Sequence, residues 1–325
     1  MPIRRALSSL VCLGLALAAA RVEAVIVTGS LGNNTSAPTD PALAVRWGQV
    51  GLFRPTWGPD GFLGTPIAPT LFITAKHIQG FVGDTFTLSG TTYTTIARFA
   101  DSSSDLAIWQ VSGTFPQDKI VPLYKSPTIP DNAPLYAFGV GAARGTTVTG
   151  SAFGGGTELK GWRWGAYNPA SPVQSWGTNT LEGFYSLGSA GLQLGFTFSA
   201  GVSDDEGTLA YGDSGGPVFI QQSGVWRLAG INYSVESPFN TTNTGGGFNA
   251  AVFDVGGLYY RNTPTTWAYQ SPAATDSPAF AFSTSTTARL AWINGVIVSV
   301  PEPSTLAAAI VAALCLPLAR LRRRA

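Results

Sequence analysis

The chain has 325 residues, a formal net charge of +1 and only 11% charged residues. Its 39 glycines and 22 prolines stand among short apolar runs, which describes a loop-rich β protein and excludes a helical bundle or a coiled coil. One histidine and two cysteines make a poor ligand set for a zinc hydrolase, no cofactor is implied, and nothing in the charge balance suggests nucleic-acid binding.

In chain order, Arg4 and Arg5 precede an apolar stretch over residues 10–20, and Val22-Glu23-Ala24 offers a cleavage site. Residues 1–24 therefore read as a secretory signal peptide. The body follows over 25–297. Leu71-Phe72-Ile73-Thr74 and Leu106-Ala107-Ile108-Trp109 are short apolar runs bounded by turn residues, as strands are. Residues 124–134, with Pro127, Pro130 and Pro134, read as a linker between a first unit over about 42–123 and a second over 135–297. Leu135-Tyr136-Ala137-Phe138 and Val225-Trp226-Arg227-Leu228 are further strands. Residues 260–287, rich in Thr, Pro and Ser, read as a surface insertion. Ala288-Arg289-Leu290-Ala291-Trp292-Ile293 is the best helical segment, and it is short.

The end of the chain is Val300-Pro301-Glu302-Pro303-Ser304-Thr305, an apolar run over 306–319, and Arg320, Arg322, Arg323 and Arg324. The run is short for a membrane span, and the arginines would hold the C-terminus on the cytoplasmic side. This stretch, 298–325, resembles the PEP-CTERM sorting tail of Gram-negative bacteria. The resemblance implies a transmembrane tail, an exosortase-type sorting enzyme as partner, and a body in the cell envelope or outside the cell, held at the membrane only until processing. Cys12 and Cys315 both lie in these ends, so the body has no disulfide and depends on its core. Seven of the 19 basic and two of the 18 acidic residues lie there too, which leaves the body with 12 and 16, a net −4.

Three short motifs carry chemistry. Gly212-Asp213-Ser214-Gly215-Gly216-Pro217 sets a serine among glycines that let backbone N–H groups converge on one small space. A serine needs a base to become a nucleophile, and the chain has one histidine, His77, in Thr74-Ala75-Lys76-His77. Asp105-Leu106-Ala107 supplies an acid, with Asp101 and Asp84 as competitors for the same role. The order His77, Asp105, Ser214 and the motifs themselves resemble the chymotrypsin/trypsin-like serine proteases over roughly residues 47–297. Lys76 departs from the alanine usual there.

The resemblance implies an all-β fold of two Greek-key β-barrels, with the active site in the cleft between them and a short C-terminal helix. It implies a His77–Asp105–Ser214 triad acting on a polypeptide substrate, with the N–H groups of Gly212 and Ser214 as oxyanion hole. Thr208, six residues before the serine, would floor the primary pocket. Being uncharged, it argues against a preference for Lys or Arg, although Asp204, Asp205 and Glu206 lie nearby. Gly230-Ile231-Asn232-Tyr233-Ser234 resembles the strand that pairs with substrate, which makes Tyr233 and Ser234 binding residues. Cleavage after Ala24 or Val25 would free an amine that Asp213 can pair with, so removal of the signal itself would activate the enzyme.

Two other readings compete. Gly212-x-Ser214-x-Gly216 also fits the esterase elbow, but that fold places its histidine after the serine, and none follows Ser214. A catalytically silent protease-like scaffold, binding surface or matrix material, is the non-enzymatic alternative.

Overall fold

A computed structural model describes residues 24–30, 34–58, 60–150, 158–263 and 266–300. Six antiparallel strands close into the first barrel: Gly51–Arg54, Phe62–Ala68, Leu71–Ala75, Thr85–Leu88, Thr91–Ala100 and Leu106–Val111. The turn at Ser89-Gly90 joins two of them with positive φ at both positions, 48° and 82°, the geometry that suits a tight hairpin. Aromatic rings fill the interior. Phe72 stacks on Phe86 at 4.1 Å between centroids, and Phe53 meets Trp109 at 5.3 Å. Each such ring removes a large apolar area from water, on the order of 150–250 Å².

The second barrel is a seven-stranded antiparallel sheet. Its spatial order is Ser175–Thr180, Pro134–Gly139, Pro217–Gln222, Val225–Val235, Phe280–Ser285, Leu192–Thr197 and Gly183–Ser186. The sheet curls around Leu135, Leu194, Phe196, Val218 and Ala281. Its two ends are tied together by Asn179 Nδ2, which donates to Thr197 O at 2.7 Å and to Gly207 O at 2.9 Å, and by Glu182 N, which donates to Gly195 O at 2.9 Å. The protein is thus all-β with two barrels, as expected.

Between the barrels, Tyr124, Ile129 and Ala133 tuck into the second core, and Tyr124 N donates to Leu228 O at 2.9 Å. The connection is pinned along its length rather than swinging free. The C-terminal helix Leu290–Ser299 buries Ile293 and Val296 in the apolar cluster that runs from the first barrel into the second. It runs two residues past the 297 boundary drawn from sequence. A short helix not anticipated from the sequence, Pro41–Trp47, is capped by Asp40, whose carboxylate accepts from Ala42 N at 2.9 Å.

The expectation of a surface insertion over 260–287 needs correction. Tyr259–Thr263 and Thr266–Tyr269 do form an added hairpin on Phe239–Asn240. Phe280–Ser285, however, is an inner strand of the second barrel, and Ser283, Thr284 and Ser285 are fully buried. The signal segment 1–23 and the tail beyond Val300, with its apolar run 306–319, lie outside the described residues. Among the described residues no helix is long and apolar enough to cross a membrane.

Candidate active site

His77 sits in the single turn Lys76–Ile78 that ends the strand Leu71–Ala75. That strand pairs with Leu106–Val111 in the register Ala75↔Leu106, which brings Asp105 alongside the turn. Asp105 Oδ1 accepts from His77 N at 2.9 Å, and Oδ2 lies 2.6 Å from His77 Nδ1. Across the cleft, His77 Nε2 lies 2.8 Å from Ser214 Oγ. Three side chains from two barrels therefore form one hydrogen-bonded line. Asp105 is almost fully buried, whereas the His77 side chain is 40% exposed and open to a ligand.

The competing carboxylates are engaged elsewhere. Asp101 is buried and receives Arg289 Nε at 2.5 Å, Arg289 Nη2 at 2.8 Å and Ser104 Oγ at 2.6 Å. Those contacts hold its carboxyl below the usual range against the opposing effect of burial. Asp84 accepts from Thr56 N at 2.9 Å and Phe81 N at 2.6 Å. Lys76 also acquires a structural account. Its ammonium donates to Asp101 O at 2.7 Å and to Ser104 O, so it ties down the loop that presents Asp105.

Ser214 lies in a glycine turn that enters the strand Pro217–Gln222. Gly215 has φ +81°, and a Cβ there would collide with Thr74 Oγ1 and the Leu63 carbonyl. Only glycine lets the serine loop approach the first barrel this closely. Gly212 has φ +95° and lines the cleft. Among the described residues no acceptor takes the N–H of Gly212 or of Ser214, while Gly215 N and Gly216 N are paired, to Asn232 O at 3.1 Å and to Asp213 O at 3.1 Å. Two free donors flanking a serine can stabilise negative charge that forms beside it.

Asp213 points the other way, into the protein. It is buried and accepts from Gly141 N at 2.7 Å, Ala210 N at 2.7 Å and Val25 N at 3.4 Å. Burial pushes its carboxyl up to about 7 despite these donors.

The cleft beside His77 and Ser214 has a volume of about 380 Å³ and is walled by Trp57, Phe62, Trp164, Tyr211 and Tyr233. Tyr233 and Ser234 line it, and the Tyr233 ring meets the imidazole edge-on at 5.6 Å. Burial, with Asp105 nearby, raises the Tyr233 hydroxyl's pKa. Thr208 is a correction. It is buried in the two-residue strand Gly207–Thr208 that pairs with Ile26–Val27, and it does not line the cleft. Ala210 does, and together with Leu209 it also bounds a side cavity of about 20 Å³ that touches Ser214 and Val235.

Tyr211 and Tyr167 carry no motif, and sequence reasoning missed both. Tyr211 OH donates to Asp60 Oδ2 at 3.0 Å and Tyr167 OH to Gly61 O at 2.7 Å, so both tie the serine side of the cleft to the first barrel. Burial pushes the Tyr167 hydroxyl up to about 12. Among the described residues no group of His, Cys, Asp or Glu gathers where it would hold a metal ion.

No family model matches the chain, and no curated protein matches it. Solved structures do resemble it. The inactive form of a serine-to-alanine mutant of Rv3671c from M. tuberculosis H37Rv is 13% identical, with a TM-score of 0.43, covering 81% of this chain and 94% of that one. Human heparin binding protein is also 13% identical, with a TM-score of 0.47, covering 79% of this chain and 95% of its own.

Proposed function

We propose that the chain is a serine endopeptidase that cleaves polypeptides through an acyl-enzyme. The observation that carries this reading is the 2.8 Å approach of His77 Nε2 to Ser214 Oγ, with Asp105 Oδ2 2.6 Å from the other ring nitrogen. Ser214 Oγ attacks the substrate carbonyl carbon while its proton passes to His77 Nε2. Asp105 fixes the ring tautomer and stabilises the imidazolium. The oxyanion is held by the N–H groups of Gly212 and Ser214; losing one such donor typically costs about 3 kcal/mol of transition-state stabilisation. His77 then protonates the leaving amine, the C–N bond breaks, and water repeats the sequence on the acyl-enzyme. Tyr233 and Ser234 bind the substrate backbone.

The leader 1–24 exports the body. The tail 298–325 holds it at the membrane through 306–319 until an exosortase-type enzyme removes it, leaving the body in the envelope or outside the cell. Cleavage after Ala24 converts the Val25 amide into an ammonium beside Asp213. The contact between Val25 N and Asp213 supports this site over cleavage after Val25, because Ile26 is already paired with Thr208.

Pre-steady-state hydrolysis of a p-nitrophenyl ester tests the reading. The processed protein should release a burst of about one nitrophenol per molecule, then turn over more slowly. Ser214→Ala should abolish the burst. A folded protein that shows neither burst nor turnover on ester or peptide is the silent scaffold instead.

A further inference from the structure

A second cavity, of about 450 Å³, opens beside the catalytic cleft, and Ser237 lines both. Its walls include Phe280 from the barrel, Phe239 from the strand that carries the added hairpin, Tyr260 and Arg261 from the hairpin, and Gln270 just after it. The hairpin is not loosely attached. Tyr260 pairs with Phe239 and Tyr259 with Asn240, which carries the hairpin on the chain just beyond the strand Val225–Val235. Arg261 lies over the Trp267 ring at 4.9 Å, which braces the outer wall. Tyr260 remains 40% exposed, a large ring with no core to fill.

The strand Val225–Val235 connects this cavity to the serine. Along Asn232–Val235 it pairs on one side with Phe280–Ser285. On the other side its partner strand ends at Pro217↔Ile231, so Tyr233, Ser234 and Val235 offer an unpaired edge that begins beside Ser214. An extended polypeptide adds to such an edge through its own backbone. Every strand pair of the barrel is antiparallel. A substrate continuing that pattern runs towards Ser214 in its C-terminal direction, so the part that reaches Ser237 is N-terminal to the scissile bond. From Tyr233 to Ser237 is about 13 Å at about 3.3 Å per residue.

The remote cavity, about 450 Å³, is comparable in size to the catalytic cleft of about 380 Å³, and a side cavity of about 20 Å³ beside Ser214 and Val235 has room for roughly one water-sized group. We propose that this second cavity is a specificity subsite that takes a bulky aromatic side chain about four or five residues N-terminal to the scissile bond, so that the enzyme also selects its polypeptide at a distance from the cleaved residue. The proposal rests on the peptidase reading above. Binding energy from a remote site is used at the reacting centre, so it raises kcat/KM only for substrates long enough to reach it.

The test compares alanine p-nitroanilides carrying one or four further residues on the N-terminal side, the far residue being Tyr, Leu, Lys or Ala. The long substrate with a far Tyr should exceed the short one in kcat/KM by on the order of tenfold or more, the effect of burying one large side chain. In Tyr260→Ala the ratio of long to short should collapse towards one. Gln270→Trp, which fills the same cavity from another wall, should give the same collapse. A ratio near one in the wild type, no preference among far residues, or a ratio that both variants leave unchanged would overturn the subsite while short-substrate turnover upholds the peptidase. No turnover of any anilide or ester would instead overturn the peptidase reading and the subsite with it.

Discussion

The backbone N–H of Val25 donates to Asp213 Oδ2 at 3.4 Å, although 188 residues separate them. Around this contact the N-terminal segment is held firmly. Arg144 Nη1 donates to the carbonyls of Val27 at 2.8 Å, Thr28 at 3.2 Å and Gly29 at 2.6 Å, and Asn34 Nδ2 to that of Val25 at 3.1 Å. Asp213 is the neighbour of the serine, so the start of the folded body and the proposed nucleophile loop share one buried carboxylate.

That carboxylate makes stability depend on pH in a defined direction. In the unprocessed chain burial pushes it up to about 7, against 3.8 for an ordinary aspartate. Between those values the folded chain keeps a proton that the unfolded chain has released. The contribution is full below about 3.8 and is lost as pH rises through about 7. Thermal unfolding of the unprocessed chain should therefore show a falling Tm across this window, and Asp213→Asn should flatten it. A form beginning at Val25 brings an ammonium to the same site and should be the more stable near pH 7. Equal Tm values for the two forms at pH 7 would rule out the pairing.

Asp105→Asn should lower kcat by about 10⁴-fold with little change in stability, because an asparagine holds the imidazole in the wrong tautomer. Asp101→Asn should do the reverse. It weakens the ion pair that links the C-terminal helix region, through Arg289, to the loop before Asp105. Steady-state kinetics and chemical denaturation on the two variants separate the roles.

Lys76→Ala replaces the ammonium that holds Asp101 O and Ser104 O. Two carbonyls lose a charged donor, and the expected cost is about 2 kcal/mol in urea unfolding. A loss below about 0.5 kcal/mol would mean that the loop holds its shape without it.

If the side cavity of about 20 Å³ beside Ser214, rather than the cleft of about 380 Å³, receives the side chain of the cleaved residue, cleavage falls after Gly, Ala or Ser, not after Lys, Arg or Phe. No acidic side chain is free there, since the Asp213 carboxylate is engaged by three backbone donors. Val235→Gly should widen tolerance to larger residues in a peptide library. A wild-type preference for Lys or Arg would contradict the geometry.

Local chemistry was legible in the sequence where it requires a fixed short motif. The glycines around Ser214 are such a motif, because the close approach at Gly215 admits no side chain. Apolar strands such as Leu71–Ala75 were equally readable. Phe280–Ser285 was not, since its buried positions are polar. Ser283 Oγ donates to Asn232 Oδ1 at 3.0 Å and Thr284 Oγ1 to Gln193 Oε1 at 3.2 Å, so a strand that looks like a surface linker is satisfied inside the core. Thr208 misled for a different reason. Counting back from the serine fixes the residue but not which way a strand turns its face, and here it is Ala210 that lines the cleft. The Tyr211–Asp60 contact joins residues 151 apart and leaves no local trace. The helix Pro41–Trp47 did leave one, an Asp-Pro start, but at seven residues it is too short to show a period.

Labelling with a fluorophosphonate probe, read by mass spectrometry on the processed, folded protein, tests the central claim most directly. One adduct per molecule is expected, located on Ser214, and none in Ser214→Ala or His77→Ala. An unlabelled wild type of verified fold, or equal labelling in His77→Ala, would contradict it.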